Sequence, residues 1–214
     1  MNIFINISGV YDEESWFPEG SQVIDLRHLE GCCCYCDSEA EAALRKAIAP
    51  YPACGLHWID TGDYHYISKL WMEKIDRPFM LALFDNHPDD QPGAFGNLLS
   101  CGSWVQAARE SLSMMKADYL NTGAIPGDLP VYLSIDMDVM PGQFARTDWD
   151  QGDMSPDILF AAIDEIARGH RILGADICGG LTSAKGALAE DLAVNSRTRE
   201  LLNTYFNYLT TVTL

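Results

Sequence analysis

The chain has 214 residues, 48% hydrophobic and 21% charged, which fits one globular domain with a sizeable core rather than a disordered chain. Lys and Arg number 14 against 31 Asp and Glu, and the formal charge of -17 repels phosphate backbones, which argues against nucleic acid as a partner. No apolar run approaches the roughly 20 residues of a membrane helix. The opening "MNIFINISGVYDEESW" also lacks the basic start of a secretory signal. The expected setting is therefore the cytoplasm, with the cysteines as reduced thiols.

In chain order, "NIFINI" at 2–7 predicts a strand and "QVIDL" at 22–26 a second. "EGCCCYCDSEA" follows, with Cys32, Cys33, Cys34 and Cys36, while Cys54, Cys101 and Cys178 stand alone. A zinc site usually takes two paired ligand groups separated by a loop, and no second Cys-x-x-Cys is present. Adjacent side chains point in different directions, so the contiguous thiols are expected to pack at a strand end or turn, not to share one ion. Asp37 and Ser38 are N-cap candidates for a helix over 38–49.

Strands are predicted at 55–60 ("GLHWID"), 79–85 ("FMLALFD"), 130–136 ("PVYLSID") and 171–177 ("RILGADI"). Helices are predicted at 64–74, 103–117, 155–168 and 185–209. Several strands are apolar throughout, as strands covered on both faces of a parallel sheet must be. Strand–helix alternation over 1–214, without repeat or linker, predicts one α/β domain, three-layer α/β/α with a mainly parallel doubly wound sheet. Loops at 88–102 and 139–154 each follow a strand, where function is commonly carried.

Chemistry-bearing residues collect where three strands end. "GLHWID" runs into "TGDYHY" with His65. "LALFD" ends on Asp85 and continues through His87, Asp89 and Asp90. "VYLSID" ends on Asp136 and leads to Asp138. Open parallel sheets bind ligands outside the carboxyl ends of their strands. Residues i and i+2 share a side in extended chain, which relates Asp85, His87 and Asp89, and Asp136 and Asp138. Four carboxylates and two imidazoles are too many for one small ion and suit two divalent ions with bridging carboxylates. Oxygen and nitrogen donors without thiolates favour Mn, with Fe, Co or Zn also compatible.

These segments resemble the arginase and agmatinase family, the ureohydrolases. "TGDYHY" is similar to the family's Gly-Gly-Asp-His-Ser, "DNHPD" to Asp-Ala-His-x-Asp and "SIDMD" to Ser-Phe-Asp-x-Asp, in the same order from about 55 to 180. The resemblance implies an arginase-like fold with Asp85 and Asp136 bridging two Mn ions. It implies that His65 and Asp89 complete one site and His87 and Asp138 the other. It further implies a metal-bridging hydroxide that attacks an sp² carbon bonded to nitrogen. Family members also suggest a homo-oligomer.

The chain departs from the family pattern at informative places. The last strand runs "GADICGGLT", with Gly179 where the family has a Glu that grips the guanidinium; Gly180 offers no carboxylate either. A guanidinium wants bidentate carboxylate recognition, so the expected substrate is not arginine. The family's proton-shuttling His has no counterpart; "GNLLSCGSW" offers Ser100 and Cys101. Cys101 is a thiol without a His nearby in sequence, and metal-activated water makes a Cys nucleophile unnecessary. Asp89 or Asp90 is a candidate hydrogen-bond partner of the attacking hydroxide, and Asp176 a candidate catalytic or supporting carboxylate. "ARTDWDQGDMS" at 145–155 offers a lid with Trp149 as a wall. His28, His57 and His170 read as structural.

The leading expectation is a dinuclear-metal hydrolase cleaving a C–N bond in a small amide- or amidine-like molecule. One alternative is a metal-binding sensor or regulator on the same fold without turnover. Another is a di-metal phosphoesterase, which needs cations near the metals, where the nearest loops hold Arg146 and Arg109.

Overall fold

The computed structural model describes residues 2–96, 98–112, 114–117 and 127–212. Seven strands form one sheet in the order β2-β1-β4-β9-β8-β5-β7. These are β1 (Asn2–Asn6), β2 (Gln22–Asp25), β4 (Leu56–Trp58), β5 (Phe79–Phe84), β7 (Met114–Ala117), β8 (Val131–Asp136) and β9 (Ile172–Cys178). Every pairing in it is parallel, from Ile3 opposite Gln22 at one edge to Phe79 opposite Met114 at the other. A separate two-residue pair, β3 (Tyr35–Cys36) with β6 (Leu99–Ser100), is antiparallel.

The alternation of strand side chains sorts the core into two layers. Ile3, Ile5, Leu81, Leu83 and Tyr132 face one layer, whereas Phe4, Met80, Ala82, Phe84, Leu133 and Ile135 face the other. The first is covered by α2 (Ser38–Ile48), α3 (Ile67–Met72) and α4 (Trp104–Ser111), through residues such as Leu44, Leu70 and Trp104. The second is covered by the short α1 (Val10–Glu13), by α5 (Pro156–Gly169) and by α6 (Ala189–Val212), through Val10, Leu159, Ile163 and Leu202. This is the expected three-layer α/β/α architecture. Asp37 caps α2 by accepting from the Glu39 and Ala40 amides, and Ser155 caps α5 ahead of Pro156.

The departures from the sequence reading are local. The helix expected over 103–117 stops at Ser111, and Met114–Ala117 pairs with β5 as the sheet's edge strand. The helix expected over 64–74 is split into a 3-10 turn at Gly62–Tyr64 and α3, and the one over 185–209 starts at Ala189. All six predicted strands form. No helix of the described residues is long and apolar enough to cross a membrane.

Candidate metal centre

The four central strands β4, β9, β8 and β5 are neighbours, so everything that follows their carboxyl ends arrives at one crevice. Asp85 is the residue after β5, and Asp136 is the last of β8. After Asp136 a 3-10 turn carries Asp138 back beside it, and Asp136 Oδ1 accepts from the Asp138 amide at 3.0 Å. After Asp85 the chain curls in the same way. The His87 amide donates to Asp85 Oδ1 at 2.6 Å, and Asp89 takes a φ of 49°, which reverses the backbone toward the sheet. Asp89 is then pinned by Trp104 Nε1, which donates to its Oδ2 at 2.6 Å. His65 caps the turn after β4 and is buried beneath these carboxylates.

The structure brings all six expected ligands together. His65 Nδ1 lies 3.2 Å from Asp85 Oδ2, 3.1 Å from Asp89 Oδ2 and 3.5 Å from Asp136 Oδ2. His87 Nδ1 lies 2.8 Å from Asp138 Oδ2 and 3.6 Å from Asp85 Oδ1. Two triads share Asp85, His65–Asp85–Asp89 and Asp85–His87–Asp138, and a third joins His65 and Asp136 with the buried Cys178 thiol, each with ligand atoms within 4.8 Å of one another.

The donor set fits a cation pair. His65 Nδ1 and Asp85 Oδ2 are buried, face each other and yet make no hydrogen bond. Polar atoms are rarely left so unless something else binds them. The protonation equilibria carry the same message. Burial pushes Asp138 up to about 9, with the charges of Asp136 and Asp85 adding to it, and burial pushes Asp136 up to about 6. Burial alone would lower the pKa of His65, but hydrogen-bonding geometry and charge from Asp85 and Asp89 carry it well above its ordinary value. Of the four crowded carboxylates, Asp89, Asp136 and Asp138 are pushed up, whereas Asp85, although burial would raise it, is held well below its ordinary value by His65 and His87.

Asp176 is fully buried on β9 and is not among the residues that line the pocket. Its Oδ1 accepts from Ser134 Oγ at 2.7 Å and from Ser68 Oγ at 3.0 Å. With its hydroxyl proton turned to Asp176, Ser134 accepts from His65 Nε2 at 3.0 Å. That chain holds a proton of His65 on Nε2, so that Nδ1, directed at Asp85, Asp89 and Asp136, is the nitrogen able to ligate once it gives up its own proton. Asp176 thus sits behind Ser134, which in turn meets His65. Asp90, the other carboxylate considered for catalysis, is likewise absent from the pocket lining.

The cavity above the ligands has a volume of about 190 Å³, and Trp149 and Cys101 stand in its walls. The 145–155 segment is anchored to the turn that carries Asp138: Gly152 N donates to Asp138 O at 2.7 Å and Met154 N to Val139 O at 3.0 Å. Gln151 donates to Met140 O and Ala145 O, so it braces the segment internally. Gly179 sits with φ 105° against Asp136, and a Cβ there would fall 2.7 Å from Asp136 Oδ1 and 2.9 Å from Met137 Cβ. This backbone has no room for a side chain where the family carries its guanidinium-gripping Glu. Behind it, buried Arg199 pairs with Glu14 at 2.8 Å and donates to Gly179 O.

The cysteine stretch corrects one expectation. Cys34 adopts φ 59°, which turns its side chain to the same partner as Cys33: the thiols lie 3.3 Å and 3.5 Å from the two oxygens of Asp63. Asp63 is also paired with Lys185, which bridges to Asp148 of the 145–155 segment. The thiols therefore converge beside the metal motif, on a carboxylate already neutralised by an ammonium. Sequence reasoning missed Asp63, Lys185, Ser134 and Trp104; of these only Ser134 carried a signal, as the residue two before Asp136 on one strand face. His57 stacks on Trp71 and contacts Tyr132 Oη, and His170 contacts Leu129 O, so both are structural as expected.

No family model matches the chain. An uncharacterized protein of Thermotoga maritima is 27% identical over 194 residues, 82% of this chain and 78% of its own. A hypothetical agmatinase from Burkholderia thailandensis superposes with a TM-score of 0.63 at 16% identity, covering 98% of this chain and 86% of that one. The Mn2+-containing formiminoglutamase of Trypanosoma cruzi gives a TM-score of 0.52 at 12% identity, over 84% and 72% of the two chains. Together with the topology and the placement of the centre at the strand ends, these likenesses lead to one conclusion. The chain has the ureohydrolase fold, the architecture of arginase and agmatinase.

Proposed function

We propose that the protein is a hydrolase that holds two divalent ions, with Mn2+ the leading candidate and Fe, Co or Zn sharing the same donors, and cleaves a C–N bond of a small amide- or amidine-like molecule. The observation that carries this reading is the sharing of Asp85 by two ligand triads around buried, unbonded Nδ1 and carboxylate atoms. Asp85 and Asp136 would bridge the ions, His65 and Asp89 would complete one position, and His87 and Asp138 the other. When bound, the ion pair would supply Lewis-acid chemistry, acidifying a water and polarising the bond to be attacked. The chain's own residues do the rest. Asp176 and Ser134 keep His65 in the ligating tautomer, Trp104 orients Asp89, and Trp149 forms one wall of the pocket. A cytoplasmic setting suits the seven free thiols.

A second reading, metal binding without turnover, is favoured by one feature. Apart from the ligands and the Cys101 thiol, no titratable side chain lines the pocket among the described residues. The phosphoester reading is not favoured, because no Lys or Arg lines it either. The test is a screen of amides, amidines, guanidines and aryl phosphates with the Mn-reloaded protein and Asp136→Asn. Metal-dependent release of amine by the wild type, abolished in the variant, supports the hydrolase. Two tightly bound ions with no turnover of any class support the silent binder.

A further inference from the structure

Six residues complete the pocket around the ligands: Gly62, Pro88, Gln91, Cys101, Gly102 and Trp149. None carries a formal charge at neutral pH; burial pushes the Cys101 thiol up to about 11. Lys185, which also faces the 145–155 segment, is gripped by both Asp63 and Asp148. The carboxylates at the floor are the expected metal ligands. A substrate bearing an ammonium or guanidinium would lose hydration here without a carboxylate to receive it, and an anionic tail would find no cation.

Trp149 is a built wall. Its ring packs on the backbone of Gly62, where an added Cβ would come within 2.9 Å of Trp149 Cδ1. Its ring also meets the His87 ring edge-on, centroids 5.7 Å apart. Thr147 Oγ1 donates to Trp149 O at 3.0 Å, and the neighbouring Asp148 is tied down by Lys185. Trp149 is nonetheless 39% exposed, so the residue has surface left to cover.

We infer that the substrate is a small uncharged carboxamide whose apolar substituent packs against Trp149, with the Gln91 amide, among the described lining residues, available to its polar end. This rests on the hydrolase reading and narrows it. The reaction balances as water plus amide giving acid plus amine. The C–N bond breaks, a C–O bond forms, and the two hydrogens of water end on the carboxyl group and the leaving nitrogen. The cavity, about 190 Å³, lies below the roughly 300 Å³ at which drug-sized sites begin, so the substituent is short.

The experiment measures calorimetric binding of two hydroxamates to the Mn-reloaded full chain. One ends in a short alkyl group and the other, of equal length, in an ammonium. The inference expects the alkyl compound to bind at least about tenfold more tightly, a margin lost in Trp149→Ala and retained in Trp149→Phe at unchanged metal content. Equal affinity, or preference for the ammonium, overturns the inference and leaves the hydrolase standing. An unchanged margin in Trp149→Ala overturns the role of the wall. No binding of either compound at two ions per chain overturns the inference together with the hydrolase reading.

Discussion

Ser134→Ala should weaken one ion and spare the other. In the intact protein the Ser134 hydroxyl stands between His65 Nε2 at 3.0 Å and Asp176 Oδ1 at 2.7 Å. A neutral His65 that ligates through Nδ1 must carry its proton on Nε2, and in the variant that buried proton has no acceptor. The metal-free state is penalised less, because there the imidazole can release its Nε2 proton and keep the one on Nδ1 that faces Asp85 and Asp89. The penalty for a buried unsatisfied donor is about 1–3 kcal/mol. At 1.4 kcal/mol per decade this is roughly 5- to 150-fold in affinity, the range known for supporting partners of metal-bound imidazoles. His87 and Asp138 do not touch Ser134, so the second ion should keep its affinity. Titration against a chromophoric chelator should change from two tight equivalents to one tight and one weak. Unchanged binding, or equal weakening of both ions, would refute the positioning role of Asp176 and Ser134.

Metal loading should rise with pH. In the metal-free state Asp136 and Asp138 titrate near about 6 and about 9, so below those values they hold protons that an ion must displace. Loading should therefore strengthen from pH 6 to pH 9 and acidify a weakly buffered solution; loading that weakens over this range contradicts the assignment. Gly179→Ala should reduce bound metal and destabilise the fold by about 1–3 kcal/mol, through the contact with Asp136 and the positive φ; metal counting and urea titration check both. Arg199→Met leaves Glu14 buried without its partner and should cost about 3–5 kcal/mol in a urea titration. Adding Glu14→Leu should restore most of that loss, and a double variant no more stable than the single would contradict it.

The ligand set was legible because it obeys local rules: Asp85, His87 and Asp89, and Asp136 and Asp138, each sit at or just past a buried strand. The strands themselves are apolar on both faces, which distinguishes them from the amphipathic helices. β7 was misread because "VQAARESLSMMKA" continues the helical spacing of α4. Only its pairing with Phe79–Ala82 of β5 makes Met114–Ala117 a strand, and no local pattern announces that partner. The two-residue strands β3 and β6 are too short to show a period. The convergence of Cys33 and Cys34 depends on a positive φ at a non-glycine residue, and the Lys185–Asp63 and Arg199–Glu14 pairs join positions 122 and 185 apart in sequence. Such contacts are products of the finished fold.

The central claim is the dinuclear centre, and elemental analysis of the full chain, purified without chelator and reloaded with Mn2+, tests it most directly. The account predicts two ions per chain in the wild type and a loss of metal in Asp85→Asn, the residue shared by the His65–Asp85–Asp89 and Asp85–His87–Asp138 triads. A wild-type chain that retains no transition metal after reloading would contradict it.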